Sequence, residues 1–177
     1  LKPDSNFKKL QTIPLIAGIS IVKGINLATS IKVGLKWPND IMFNQKKLGG
    51  ILIETKSSQF GFDIVVGIGI NINERLNEIP KLLENRAISL SIISGKIYDR
   101  MYILSMILNE FENFYLHHSD NIIPTWEKYC IHQKTAITFN SANILYNGIF
   151  QGITDDGYAE ILINGEKKVF QAGVVSL

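Results

Sequence analysis

Along this chain the spacing of apolar positions changes several times, and each change marks an element. From Pro14 to about Thr29, Leu15, Ile16, Ile19 and Val22 recur at helical spacing, with Thr12 as a cap and Pro14 in the first turn. This predicts a buried helix lying on a sheet, with Gly18 and Gly24 allowing close packing. Ile31 to Trp37, Ile41 to Phe43, Leu48 to Thr55 and Phe62 to Asn71 read as neighbouring strands. The turns between the later strands are Asn44 to Lys47 and Ser57 to Gly61, and a turn cluster at Pro3 to Asn6 opens the chain. Asn73 to Lys96 predicts loops and short helical turns. Asp99 then caps a long helix in which Met101, Leu104, Leu108, Phe111 and Tyr115 make the core face, and a short helix with Trp126 and Tyr129 follows Pro124.

After Thr135 the apolar runs become short and β-prone, at Ala136 to Phe139, Gly148 to Ile153, Tyr158 to Ile163 and Lys168 to Phe170. Asp155-Asp156-Gly157 and Asn164-Gly165 supply hairpin turns. The pattern predicts an α+β layer followed by a small barrel-like β domain, with the boundary near His132.

Strand alternation singles out the candidate chemistry. Gly67, Gly69, Asn71 and Asn73 fall on one face of their strand, and Val66, Ile68, Ile70 and Ile72 on the other. On the preceding strand Gly50 and Leu52 share a face, with Gly49 opposite. Two glycines on one strand face fit a ligand laid against bare backbone; in an isolated strand a bulge or close helix packing is the commoner cause, and the glycines of the neighbouring strand shift the balance toward a ligand. Lys47 enters the glycine-bearing strand, where an ammonium group could hold a carboxylate or a phosphate, although turn lysines are usually solvated. Asn39 and Asp40 follow Pro38, whose restricted backbone makes a stiff connection that suits either a positioned carboxylate or ordinary turn chemistry.

Composition narrows the classes. The formal net charge of +2, with lysines spread along the chain, points to neither nucleic acid nor an acidic membrane. Cys130 is the single cysteine, which excludes an intrachain disulfide. His117, His118 and His132 lack zinc-site spacing and read as surface or helix-end residues. No apolar run reaches the roughly 20 residues that span a bilayer and no signal peptide opens the chain, so a cytoplasmic protein is expected. Because residue 1 is leucine, the chain is expected to begin inside a longer product.

Lys36-Trp37-Pro38-Asn39-Asp40, Lys47-Leu48-Gly49-Gly50-Ile51-Leu52-Ile53-Glu54 and Gly67-Ile68-Gly69-Ile70-Asn71 resemble, in that order, the signature segments of biotin protein ligases. Gly152 to Gly157 and Ala172 to Leu177 resemble the family's small C-terminal domain. The resemblance implies a mixed β-sheet catalytic domain over 1–132 with helices packed on it, and an SH3-like barrel over 133–177. It implies ATP-dependent transfer of biotin, through biotinyl-5′-adenylate, to a lysine of the biotin carboxyl carrier protein of acetyl-CoA carboxylase. Magnesium accompanies the ATP, and a homodimer is compatible with the family.

The resemblance also assigns residues. Lys47 matches the lysine that contacts the biotin carboxylate and the α-phosphate, and Asp40 an aspartate that orients or deprotonates the incoming lysine. Gly50, Leu52, Gly67 and Gly69 match positions beside biotin, and Asn39 and Asn71 positions beside the adenylate. The family's Ser/Thr-rich biotin segment and its arginine- and glycine-rich phosphate loop would precede Leu1, and the chain's arginines are Arg75, Arg86 and Arg100. Two other readings therefore stand: a lipoate or octanoate ligase, and a non-catalytic biotin-binding or regulatory fragment. A DNA-binding domain, where a relative has one, would also lie upstream.

Overall fold

The computed structural model describes residues 1, 10–58, 61–117 and 121–177. The expected turn cluster at Pro3 to Asn6, Gln59 and Phe60 of the turn expected over Ser57 to Gly61, and His118 lie outside these residues.

The central helix, α1 (Ile13–Thr29), follows a short 3-10 turn, Leu10–Thr12. Leu15, Ile16, Ile19 and Val22 are buried, as their spacing predicts, and so are Ile13, Ile21 and Ile25. A helix that is apolar almost all round must be enclosed on all sides. The run Leu10–Thr29 is thus long and apolar enough to cross a membrane by length and composition, contrary to the reading of the sequence, but most of it is buried inside this fold. Thr12 takes the cap position without a side-chain capping bond. Gly24 lets α1 meet the backbone of a later helix: a Cβ there would stand 2.7 Å from the Ile107 Cα. Gly18 sits over Leu35 and Ile51 of the sheet.

That sheet runs β1 (Gly34–Lys36), β2 (Asp40–Phe43), β3 (Lys46–Ser58) and β4 (Gly61–Ile70), in chain order. Its described strands pair antiparallel, so the expected mixed sheet is corrected. Turns as short as Asn44-Gln45 leave no length for a parallel crossover. The strand expected from Ile31 shortens to Gly34–Lys36. Between β4 and the next long helix come two 3-10 turns, Leu76–Glu78 and Lys81–Leu83, and a short helix, α2 (Leu90–Ser94), as the mixed signal there suggests.

In α3 (Arg100–His117), Asp99 caps as expected, its Oδ1 accepting from the Met101 amide at 2.8 Å. The expected core face holds only in part: Phe111 packs against the core. Met101, Leu104 and Leu108 are exposed, and Ile103, Ile107 and Phe114 are buried instead. Helix α3 carries apolar residues on both faces, and Gly24 of α1 selects the one bearing Ile107.

Helix α4 (Ile122–Tyr129) begins two residues ahead of Pro124 and buries Trp126. A five-stranded antiparallel sheet follows, ordered β8-β7-β6-β5-β9. Its strands are β5 (Ala136–Ser141), β6 (Ile144–Ile153), β7 (Ala159–Ile163), β8 (Glu166–Phe170) and β9 (Val174–Ser176), the last not anticipated. Gly157, Asn164 and Gly165 all have positive φ, the left-handed conformation those hairpin turns require. One continuous core joins α1, Leu35 and Trp37 to Phe139, Phe150 and Val175.

Candidate active site

Pairing across the first sheet puts four residues in one row: Lys36 opposite Asp40, Asp40 opposite Gly50, and Gly50 opposite Gly69. Directly opposed residues of antiparallel strands share a face. Leu52 and Gly67 form the next pair on that face. The glycine face expected from alternation therefore exists as a continuous floor. A Cβ at Gly69 would meet nothing within 4 Å, so the floor there is open. Gly49, by contrast, is packed, because a Cβ there would stand 2.3 Å from the Gly69 carbonyl oxygen. The expected greasy face behind is broken at Ile68, which is partly exposed.

Charge gathers at the end of this floor. Asp40 reaches its row through a bulge between Ile41 and Met42. Its Oδ1 accepts a short hydrogen bond from Lys47 Nζ, while Lys36 Nζ lies 3.7 Å from Oδ2. Lys47 extends over Gly50, where its Nζ would be 3.3 Å from a Cβ. A cleft of about 580 Å³ opens over these groups, lined also by Asn71, Arg86 and Leu83. Its charged lining consists of Lys36, Lys47 and Arg86 against the single carboxylate of Asp40. Such an excess of cations over a bare backbone floor suits an anion.

Arg86 is a lining residue that sequence reasoning missed. It arrives because the segment before α2 docks along Lys47: the Lys47 amide donates to the Arg86 carbonyl at 2.7 Å, and the Ile88 amide to the Lys47 carbonyl at 3.0 Å. Asn71 holds the same segment, its Nδ2 donating to the Ile88 carbonyl at 3.1 Å and its carbonyl accepting from the Leu90 amide. No local signal announces a one-residue parallel bridge. Lys46, the neighbour of Lys47, donates to the Glu84 carbonyl at 2.9 Å and ties down the same loop.

Asn39 clamps the turn to β3. Its Nδ2 donates to the Ile51 carbonyl at 2.7 Å, and its own carbonyl accepts from the Ile51 amide at 2.9 Å. Trp37 points away from the cleft into the core, and Trp37-Pro38 is a cis peptide.

Behind β1, His132 is fully buried against Phe150, with ring centroids 4.3 Å apart, which corrects its expected surface position. The Ile131 amide bonds the Leu35 carbonyl and draws this stretch under the sheet. Burial first, and then the charge of Lys36, lowers the His132 pKa to about 4, so the ring is neutral. Burial, with the nearby Glu127 carboxylate adding to it, raises the Cys130 thiol to about 12 and keeps it an inert packing group. His117 is exposed at the end of α3, as expected. Among the described residues, no group of three or more His, Cys, Asp or Glu side chains could hold a metal ion.

Residues 3–71 match the model of the biotin/lipoate A/B protein ligase family. Across 180 residues the chain is 34% identical to the bifunctional ligase/repressor BirA of Bacillus subtilis, an alignment covering 98% of this chain and 55% of that protein. It is 29% identical to the bifunctional ligase/repressor BirA of Escherichia coli, covering 98% of this chain and 57% of that one. The chain thus spans about half the length of these curated relatives. Among solved structures, the biotin protein ligase from Aquifex aeolicus in complex with biotin and ATP superposes with a TM-score of 0.78 at 31% identity. That match covers 96% of this chain and 72% of the Aquifex chain. The apo form of the Aquifex ligase gives 0.80 at 30% identity, with 76% of its chain covered.

Proposed function

Because this chain belongs to the biotin/lipoate A/B protein ligase family, we propose that it attaches biotin, by way of biotinyl-5′-adenylate, to a lysine of the biotin carboxyl carrier protein of acetyl-CoA carboxylase. The observation that carries the reading is the cross-strand row in which Lys36 and Asp40 lead onto a glycine floor, with Lys47 bent over Gly50 to reach the same carboxylate. In the first step a biotin carboxylate oxygen attacks the α-phosphorus of ATP, the bond to the β-phosphate bridge breaks, and pyrophosphate leaves. Lys47 binds the carboxylate and the α-phosphate, bringing two anions together and offsetting the charge that builds up between them. Arg86 and Lys36 add to the positive field of the cleft.

In the second step the carrier lysine attacks the acyl carbon, the anhydride C–O bond breaks, and AMP leaves. Asp40 orients the amine and accepts its proton. Gly50, Gly67 and Gly69, with Leu52 beside them, leave the space in which biotin lies, and Asn39 and Asn71 hold the turn and loop that frame the adenylate. The single carboxylate of the cleft is already shared by two ammonium groups, so the described residues do not themselves make a magnesium site. Magnesium enters as the companion of the ATP phosphates.

In this reading the catalytic unit is 1–132 and an SH3-like barrel occupies 133–177, a division supported by the separate five-stranded sheet that follows α4. The protein works in the cytoplasm, with a second copy of the chain as its dimer partner. The test is mass spectrometry of acyl-adenylates after incubation with ATP, magnesium, biotin, lipoate and octanoate together. Biotinyl-adenylate alone is the expected product. A lipoyl or octanoyl adenylate would move the chain to the other branch of its family. If no adenylate forms, either here or with the upstream coding region restored, the protein is a non-catalytic binder and the reading fails.

A further inference from the structure

We propose that Lys36 is a positioning residue that stays on the Asp40 carboxylate as counter-ion when Lys47 leaves it for an incoming anion. This rests on the ligase reading for its substrate, but not for its geometry. The two lysines contact different oxygens of one carboxylate, Lys36 near Oδ2 and Lys47 on Oδ1. They are held differently. Lys36 is 18% exposed, as is Asp40, and stands on β1, which is fixed by pairing with β2 and by the bond from Ile131 to Leu35. Lys47 is 51% exposed, and only its side chain bends back across Gly50 to reach Asp40.

In this state the Lys47 ammonium lies over the part of the floor nearest Asp40, where an anionic ligand would be bound. A carboxylate or phosphate entering the cleft must therefore take Lys47 from Asp40. Removing the only partner of a partly buried carboxylate weakens binding, because the charge left behind is unpaired and only incompletely hydrated. With Lys36 in place the exchange leaves Asp40 paired, so Lys47 can be given up to the ligand. Without Lys36, Asp40 and the ligand compete for a single ammonium group.

The competition makes a specific test possible. Inorganic pyrophosphate is titrated into the chain by calorimetry, and the KM for biotin is measured by pyrophosphate release, for the parent, Lys36→Met, Lys36→Arg, and Lys36→Met combined with Asp40→Asn. Lys36→Met should weaken pyrophosphate binding and raise the KM about tenfold, with the larger change in KM than in kcat. Lys36→Arg should restore both. The double variant should also recover pyrophosphate affinity, since the competing carboxylate is gone. Failure of the double variant to recover, with its fold intact by circular dichroism, would overturn the proposal, as would a parent chain that binds no pyrophosphate. A parent that binds pyrophosphate but makes no adenylate would refute the ligase reading alone, and the titrations would still decide the role of Lys36.

Discussion

The indole nitrogen of Trp37 donates to the carbonyl of Gly157 across 3.0 Å, joining residues 120 positions apart. The ring also packs at 5.9 Å from Phe139, so the turn carrying Asn39 and Asp40 is anchored by the second sheet. Trp37→Phe would keep most of the packing and lose the donor, leaving a part-buried carbonyl without this partner. A loss of about 1–3 kcal/mol is expected in urea denaturation. An unchanged midpoint would mean that water replaces the bond.

Gly49 and Gly69 are neighbours in the sheet with opposite surroundings. Gly49→Ala would drive a methyl into the Gly69 carbonyl and should destabilise the fold by about 2 kcal/mol or more. Gly69→Ala meets open space and should leave the thermal midpoint nearly unchanged while raising the KM for biotin. Equal stability of the two variants would contradict the described floor.

Lys47 and Asp40 should separate by reaction step. Lys47→Ala should reduce single-turnover adenylate formation about a hundredfold or more. Asp40→Ala should chiefly slow transfer from preformed adenylate to the carrier lysine, by about a hundredfold. If Asp40→Ala instead reduces both steps equally, its carboxylate serves the nucleotide rather than the amine.

His132 predicts an acid limb of stability. Unfolded, the ring takes up a proton near its ordinary 6.5; folded, it does so only near 4. The unfolded state binds the extra proton between those values, so stability is complete above about pH 6.5 and falls as the pH drops toward 4. The total loss from this one ring is about 3 kcal/mol. Urea denaturation at neutral pH and near pH 4.5, for the parent and His132→Gln, measures it: the variant should have a visibly shallower limb.

The floor was legible in the sequence because alternation along a strand is local: knowing that β3 and β4 are strands is enough to put Gly50 with Leu52 and Gly67 with Gly69. That the two pairs adjoin, and that Asp40 joins them, depends on register and on the bulge at Ile41, which only the assembled sheet determines. Helix α3 failed for a different reason. Its apolar residues populate two stripes, and the choice between them was made by a glycine on another helix, more than 80 positions earlier. His132 and Arg86 belong to stretches with no periodicity at all, drawn into place by backbone bonds that they or their neighbours make with Leu35 and Lys47. Such bonds have no signature in the residues that make them.

Both tryptophans of the chain, Trp37 and Trp126, are 2% exposed. The native emission spectrum will accordingly be that of shielded indoles, blue-shifted and poorly quenched by iodide. Because Trp37 sits where the two sheets meet, any loosening of that junction should move the spectrum to the red before the rest of the molecule unfolds, which gives the protein an optical gauge of the seam with no added label.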